Sequence, residues 1–117
     1  EEYKKYWYAT YRLESIVALQ ELVATAATRE VFEKVKCAVF NGVYYRDEKN
    51  QDPVVRVSAV KKMHQQLGTP ADKKRYVEFP NANTHIIACD LQSESIPEVL
   101  TEIYSFAKEI MGMENEI

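Results

Sequence analysis

The stretch Cys37-Ala38-Val39-Phe40-Asn41-Gly42-Val43-Tyr44-Tyr45 decides the fold. Cys37 to Phe40 is continuously apolar, and Val43-Tyr44-Tyr45 resumes the run. Bulky β-formers without alternation predict a strand within Lys36 to Tyr45 that is buried on both faces, as in a parallel sheet covered by helices. A charged loop, Arg46 to Gln51, follows. Pro53 helps to end it, because proline has no N–H for further ladder pairing. Ser58 then reads as the N-cap of a helix to about Leu67, with Val60, Met63 and Leu67 on one face. Gly68 stands at the expected C′ position and Pro70 comes after it. Lys74 to Phe79 is a second strand, with Tyr76 and Glu78 on one side and Val77 and Phe79 on the other.

Outward from this strand–helix–strand unit, the pattern is helical. Pro80-Asn81-Ala82-Asn83 is turn chemistry. Ser95-Ile96-Pro97-Glu98 has capping-box spacing. Val99, Leu100, Ile103, Phe106, Ala107, Ile110 and Met111 then form an apolar stripe that Gly112 closes. Upstream, Leu13, Ile16, Val17, Val23, Ala24 and Ala27 predict a helix over Tyr11 to Ala27. Thr28 can cap a short helix through about Lys34. Glu1 to Thr10 carries Tyr3, Tyr6, Trp7 and Tyr8 without a period and reads as an irregular lead-in. The order is helix, short helix, strand, helix, strand, helix. Such alternation implies parallel strands joined by crossovers. Two strands are too few for a parallel sheet, so the others are expected from a missing N-terminal half or from another chain.

The 117 residues suggest one domain or part of one, and 46% hydrophobic residues suffice for a core. A net charge of −3 argues against nucleic acid, which needs a basic stripe. No apolar run approaches the roughly 20 residues that span a bilayer. Cys37 and Cys89 do not make a disulfide framework and read as small buried hydrophobes. Asp47, Glu48, Asn50 and Asp52 lack the spacing and glycine of a calcium loop. His64 reads as an exposed helix residue, so no metal site is expected. No glycine-rich phosphate loop exists, and no cofactor is expected.

Chemistry concentrates at the carboxyl ends of the strands, where open α/β sheets place their sites. Asp52 follows the first strand in Asn50-Gln51-Asp52-Pro53-Val54-Val55. His85 follows the second in Phe79-Pro80-Asn81-Ala82-Asn83-Thr84-His85. One crossover separates them, so parallel strands bring both loops to one edge. A carboxylate beside an imidazole fixes its tautomer and stabilises the imidazolium, and the imidazole can act as a general base near neutral pH. Asp47 is a rival acid, since it follows the strand more directly, whereas Asp52 has the Pro-Val-Val context. Gly42, Gly68 and Gly112 are the only glycines, and none flanks a serine as a nucleophile elbow requires. Cys89 is a poor substitute nucleophile, with only His85 nearby to lower its pKa.

With these residues in view, Lys36 to Met113 resembles the C-terminal part of the α/β-hydrolase superfamily. There an acid lies in a segment like G-x-x-D-x-x-V-P after a late strand, and the histidine in a segment like P-x-x-x-H after the last. Thr84 stands where the family often has glycine before the histidine. The resemblance implies an α/β, three-layer fold with two parallel strands and about four helices in this portion. Residues 1–35 would be cap or connecting helices, and residues 36–117 the strand–helix–strand–helix portion. It further implies a serine hydrolase acting on an ester or acyl bond of a small molecule, with Asp52 and His85 as acid and base. Both the serine and its oxyanion donors would lie in the missing half, leaving this chain inactive alone. A cut sheet exposes an apolar edge, so a homo-oligomer is expected. The competing expectation is a complete, non-catalytic module working as a homodimer.

Overall fold

A computed structural model describes residues 10–114 of the chain. The aromatic lead-in of Tyr3, Tyr6, Trp7 and Tyr8 lies outside the described residues. Along the chain come helices α1 (Leu13–Ala26) and α2 (Arg29–Phe32), strand β1 (Val39–Val43) and helix α3 (Val57–Gln66). A 3-10 turn (Ala71–Lys73) leads into strand β2 (Lys74–Glu78), and helix α4 (Ile96–Met111) ends the series. The order is the expected one.

The two strands pair in parallel, from Val39 against Lys74 to Val43 against Glu78. The Phe79 amide extends the ladder by donating to the Val43 carbonyl at 2.8 Å. Successive strand residues face opposite ways. Asn41 meets His64 of α3, while Phe40 meets Phe106 of α4 edge-on, with centroids 5.5 Å apart. The helices therefore cover opposite faces, giving an α/β arrangement with the sheet between them.

Burial of β1 differs from the expectation. Val39 to Gly42 are only half-buried, and Val43 alone in the strand is buried. The reason is that a two-stranded sheet leaves each strand with one neighbour. The buried cluster instead forms at the carboxyl ends of the strands, from Tyr44, Phe79, Ala82 and Val99, with Phe40, Val77 and Ile87 packed against it. Each large apolar side chain buried here contributes roughly 1.5–3 kcal/mol. This cluster thus lies at the strand ends from which the loops carrying Asp52 and His85 depart. Cys37, expected in the strand, is exposed ahead of it, and Cys89 is half-buried.

The helix ends correct two expectations. Arg56, not Ser58, precedes the first turn of α3. The Arg56 carbonyl accepts from Ala59 and Val60 at 2.9 and 3.2 Å, and Val57, 2% exposed, fixes the helix start against the core. Ser95 does precede α4, but its side chain makes no capping bond, and its buried Oγ has no hydrogen-bond partner among the described residues. Proline in the first turn of α4 has no N–H to offer there. The far ends behave as expected. Gly112 adopts φ 66° and closes α4 in the left-handed conformation. Gly68 ends α3 for a different reason: a Cβ there would collide with the Glu33 carbonyl, whereas the bare backbone lets its amide reach the Phe32 carbonyl at 3.1 Å.

α1 contrasts with all of this. It is helical where its periodicity predicts, yet none of its residues is buried. Leu13, Ile16, Val17, Leu19 and Leu22 are each more than half exposed.

Candidate active site

The loop after β1 turns back on itself. Arg46 and Asp47 donate backbone N–H bonds to the Asn50 carbonyl at 2.9 and 3.2 Å, and Asn50 donates to the Asp47 carbonyl at 3.1 Å. An isolated antiparallel bridge joins Tyr45 to Gln51, and the Asp52 amide reaches the Tyr44 carbonyl at 3.0 Å. The loop therefore bulges out and delivers Asp52 back to the strand end. This geometry separates the two aspartates. Asp47 Oδ1 accepts from the Lys49 and Asn50 amides at 2.8 and 2.9 Å. The Asn50 side chain donates to both of its oxygens. These bonds, led by the Asn50 side chain, hold the Asp47 carboxyl below its usual range. Asp47 builds its own loop and does not touch His85.

Asp52 does touch it. Its Oδ2 lies 2.6 Å from His85 Nδ1, while its Oδ1 accepts from the Val54 and Val55 amides at 2.8 and 2.9 Å. The Asp52 side chain is 2% exposed and that of His85 40% exposed. Burial opposes the charge on Asp52. The bonds from His85 and from the Val55 and Val54 amides outweigh it, and the carboxyl lies below its usual range. Since a carboxylate only accepts, the short contact assigns a proton to Nδ1; in the neutral ring the lone pair is then on Nε2. The ring is thus anchored on its buried side and open on the other.

His85 stands in a loop without regular structure, between β2 and α4. Pro80 and Asn81 form the turn expected there, with the Ala82 amide donating to the Phe79 carbonyl at 3.4 Å. Three residues not singled out by sequence reasoning hold this loop. Arg46 Nε donates to the Pro80 carbonyl at 2.9 Å and its Nη2 to Asn83 Oδ1 at 3.3 Å. Asn83 Nδ2 donates to Glu94 Oε2 at 2.6 Å. The available signal was Asn83 itself, because asparagine in a turn is a residue type enriched in the left-handed region.

The nucleophile candidates stay apart from the ring. Among the described residues, no serine, threonine or cysteine hydrogen-bonds His85. Thr84 Oγ1 donates to Gln92 Oε1 and accepts from the Ile86 amide. The Cys89 amide closes a turn on the Ile86 carbonyl at 3.2 Å. The described residues hold no cluster of three or more His, Cys, Asp or Glu side chains able to bind a metal, and no helix long and apolar enough to cross a membrane.

The other histidine differs from its expectation. His64 is half-buried, and its Nδ1 lies 2.8 Å from Asn41 Oδ1. Burial, helped by the positive charge of Lys74, pushes its pKa down. Comparison of the chain with family profiles, curated proteins and solved structures finds no match.

Proposed function

We propose that Asp52 and His85 are the acid and the base of a Ser-His-Asp relay in an α/β-hydrolase-type enzyme acting on ester or acyl bonds. The serine comes from a segment outside this chain. The observation carrying this reading is the 2.6 Å contact from Asp52 Oδ2 to His85 Nδ1, made by a buried carboxylate to a ring whose Nε2 is unbonded among the described residues. In the relay, Nε2 takes the proton of the serine hydroxyl as its oxygen attacks the acyl carbon. Asp52 stabilises the imidazolium so formed. The imidazolium then protonates the leaving group as the tetrahedral intermediate collapses to the acyl-enzyme. Water then attacks the acyl carbon, giving its proton to Nε2; the bond to the serine oxygen breaks, that oxygen takes the proton back from the imidazolium, and the acid leaves. Backbone donors of the completing segment would hold the oxyanion.

Assay of a full-length protein containing this chain with a p-nitrophenyl ester tests the reading. His85→Ala is expected to lower turnover by about 10³-fold or more, and the 117-residue chain alone is expected to be inactive. Normal turnover by the His85→Ala enzyme would sink the assignment.

A second reading, a non-catalytic module that self-associates, draws on α1. Its apolar face has no buried residue, and a groove of about 610 Å³ between α1, α2 and α3 is lined by Val23, Ala27, Phe32, Val60 and Met63. Sedimentation would find a dimer or larger assembly on this reading. A stable monomer at micromolar concentration would refute it.

A further inference from the structure

We propose that Arg46, Asn83 and Glu94 form a positioning network that aims the His85 ring at Asp52. Its purpose rests on the relay reading above; its geometry does not. The loop bearing His85 has no helix or strand to hold it, so side-chain bonds take a large part in setting its course. Asn83, two residues before His85, has φ 55°, and is the one non-glycine residue with a positive φ among the described residues. A residue in the left-handed region redirects the chain sharply and persists only where its surroundings enforce it.

The enforcement is visible on both sides of the Asn83 amide. Its oxygen accepts from Arg46 Nη2 at 3.3 Å, and its nitrogen donates to Glu94 Oε2 at 2.6 Å. Arg46 Nε also holds the Pro80 carbonyl at 2.9 Å, and the Glu94 amide donates to the Ala82 carbonyl at 3.3 Å. The loop is therefore tied at Pro80, Ala82 and Asn83 immediately ahead of His85. The chemistry demands an amide at this position. It must accept from a guanidinium on one side and donate to a carboxylate on the other, which neither a carboxylate nor an aliphatic side chain can do.

Arg46 also links this loop to the acid. Its amide closes the post-β1 loop on Asn50 at 2.9 Å, and that same loop returns the chain to Asp52. One guanidinium thus couples the segment that presents the carboxylate to the segment that presents the imidazole. Arg46, Asn83 and Glu94 are all exposed, so their bonds add little to global stability. Their loss should free the ring while leaving the fold intact, which separates positioning from a structural role.

Nitrogen-15 NMR of the His85 ring in the 117-residue chain tests this. The wild type is expected to show a single tautomer with the proton on Nδ1. Asn83→Gly keeps the left-handed backbone but removes both side-chain bonds. It and Arg46→Ala are expected to show mixed tautomers, with Nδ1 proton exchange faster by about tenfold, the effect of roughly one hydrogen bond to a charged group. Melting midpoints should stay near that of the wild type. Glu94→Ala should behave like Asn83→Gly, whereas Glu94→Gln, which still offers an acceptor, should restore the wild-type ring signal. An unchanged tautomer and exchange rate in Asn83→Gly overturns the proposal, and this variant decides even if Arg46→Ala fails to fold. If Asn83→Gly frees the ring but His85→Ala leaves full-length turnover intact, the relay reading falls and the positioning network stands.

Discussion

Asp52–His85 and Asn41–His64 are two versions of one contact. In each, a side-chain oxygen from β1 or the loop after it meets Nδ1 of a histidine, at 2.6 Å in the first pair and 2.8 Å in the second. The differences lie in charge and setting. Asp52 is an anion, fixed through its other oxygen by two backbone amides. Asn41 is a neutral amide in mid-strand. His64 lies beside the Tyr76 ring, 5.8 Å between centroids, and its carbonyl accepts from Lys74 at 2.8 Å. Burial and the Lys74 charge both disfavour a proton on His64. A carboxylate can share the positive charge of a ring that protonates during a reaction, and a neutral amide cannot. A histidine held by a side-chain oxygen is therefore not by itself a base candidate. An anionic partner with its second oxygen satisfied, at a strand's carboxyl end, makes the distinction.

The sharpest way to break this contrast is Asp52→Asn, which puts a neutral amide beside His85 as Asn41 stands beside His64, but with its NH₂ toward the ring. The amide oxygen must keep facing the Val54 and Val55 amides, so the new NH₂ faces the ring. Nδ1 must then accept, and the proton moves to Nε2, the atom a base needs free. We expect ring nitrogen NMR to show this tautomer change at His85 and none at His64. On the proposed relay, turnover of a full-length protein containing this chain should fall by about 10⁴-fold. A His85 that keeps its proton on Nδ1 in Asp52→Asn would remove the basis of the comparison.

Gly42 offers a smaller, packing-level test, because it separates the surroundings of the two rings. It follows Asn41 in β1, on the opposite face of the sheet from α3. A Cβ at Gly42 would meet Ile87 Cδ1 at 2.8 Å, Phe79 Cε2 at 2.9 Å and Phe40 Cε1 at 3.1 Å. Phe79 is 2% exposed and cannot easily yield, so strain passes to Ile87, two residues past His85. Gly42→Ala should lower unfolding stability by about 1–3 kcal/mol, the range for overpacking, as measured by urea denaturation. It should also shift the His85 ring signals more than those of His64. Equal shifts at both rings would show that the two sites are not mechanically separate.

How far these features could be read in the sequence follows from the range of the interactions involved. The strand–helix–strand order and the Gly112 cap rest on local pattern, and they were legible. So was the convergence of Asp52 and His85, because parallel pairing is enough to bring both loops to one edge. Asp52 is favoured over Asp47 in the sequence only by its Pro-Val-Val context. Which carboxylate meets His85 depends on contacts at hydrogen-bond distance: the Asn50 side chain takes both Asp47 oxygens, while one Asp52 oxygen is left for the ring. The Arg46–Asn83 bond spans 37 positions and leaves no periodic trace. The burial of His64 was not legible. Its helix face covers a sheet surface that is itself polar, built from Asn41, Tyr76 and Glu78, and polarity there does not signal solvent. The extent of α1 was legible, but not its lack of burial, since an apolar stripe predicts a partner without saying where the partner lies.

The smallest effects come from titrating the two pairs. Both Asp52 and His64 have folded-state pKa values below their ordinary ones. In each case the unfolded chain binds a proton more readily than the native one, so stability is lost as pH falls. The windows differ. The His64 contribution is complete above its ordinary value of 6.5 and declines as pH drops below it. The Asp52 contribution persists until pH drops below the ordinary carboxyl value of 3.8. Urea unfolding across pH should therefore show two separate losses. His64→Gln should flatten the profile just below 6.5 and leave the acid limb. Asp52→Asn should shrink the acid limb, to which Asp47 also contributes, and leave the upper one. Asn41→Ala, which removes only a neutral hydrogen bond, should cost about 1 kcal/mol at neutral pH. If Asp52→Asn removed the step below 6.5 instead, the two pairs would be one coupled system, and the separation of the anionic pair from the neutral one would fail.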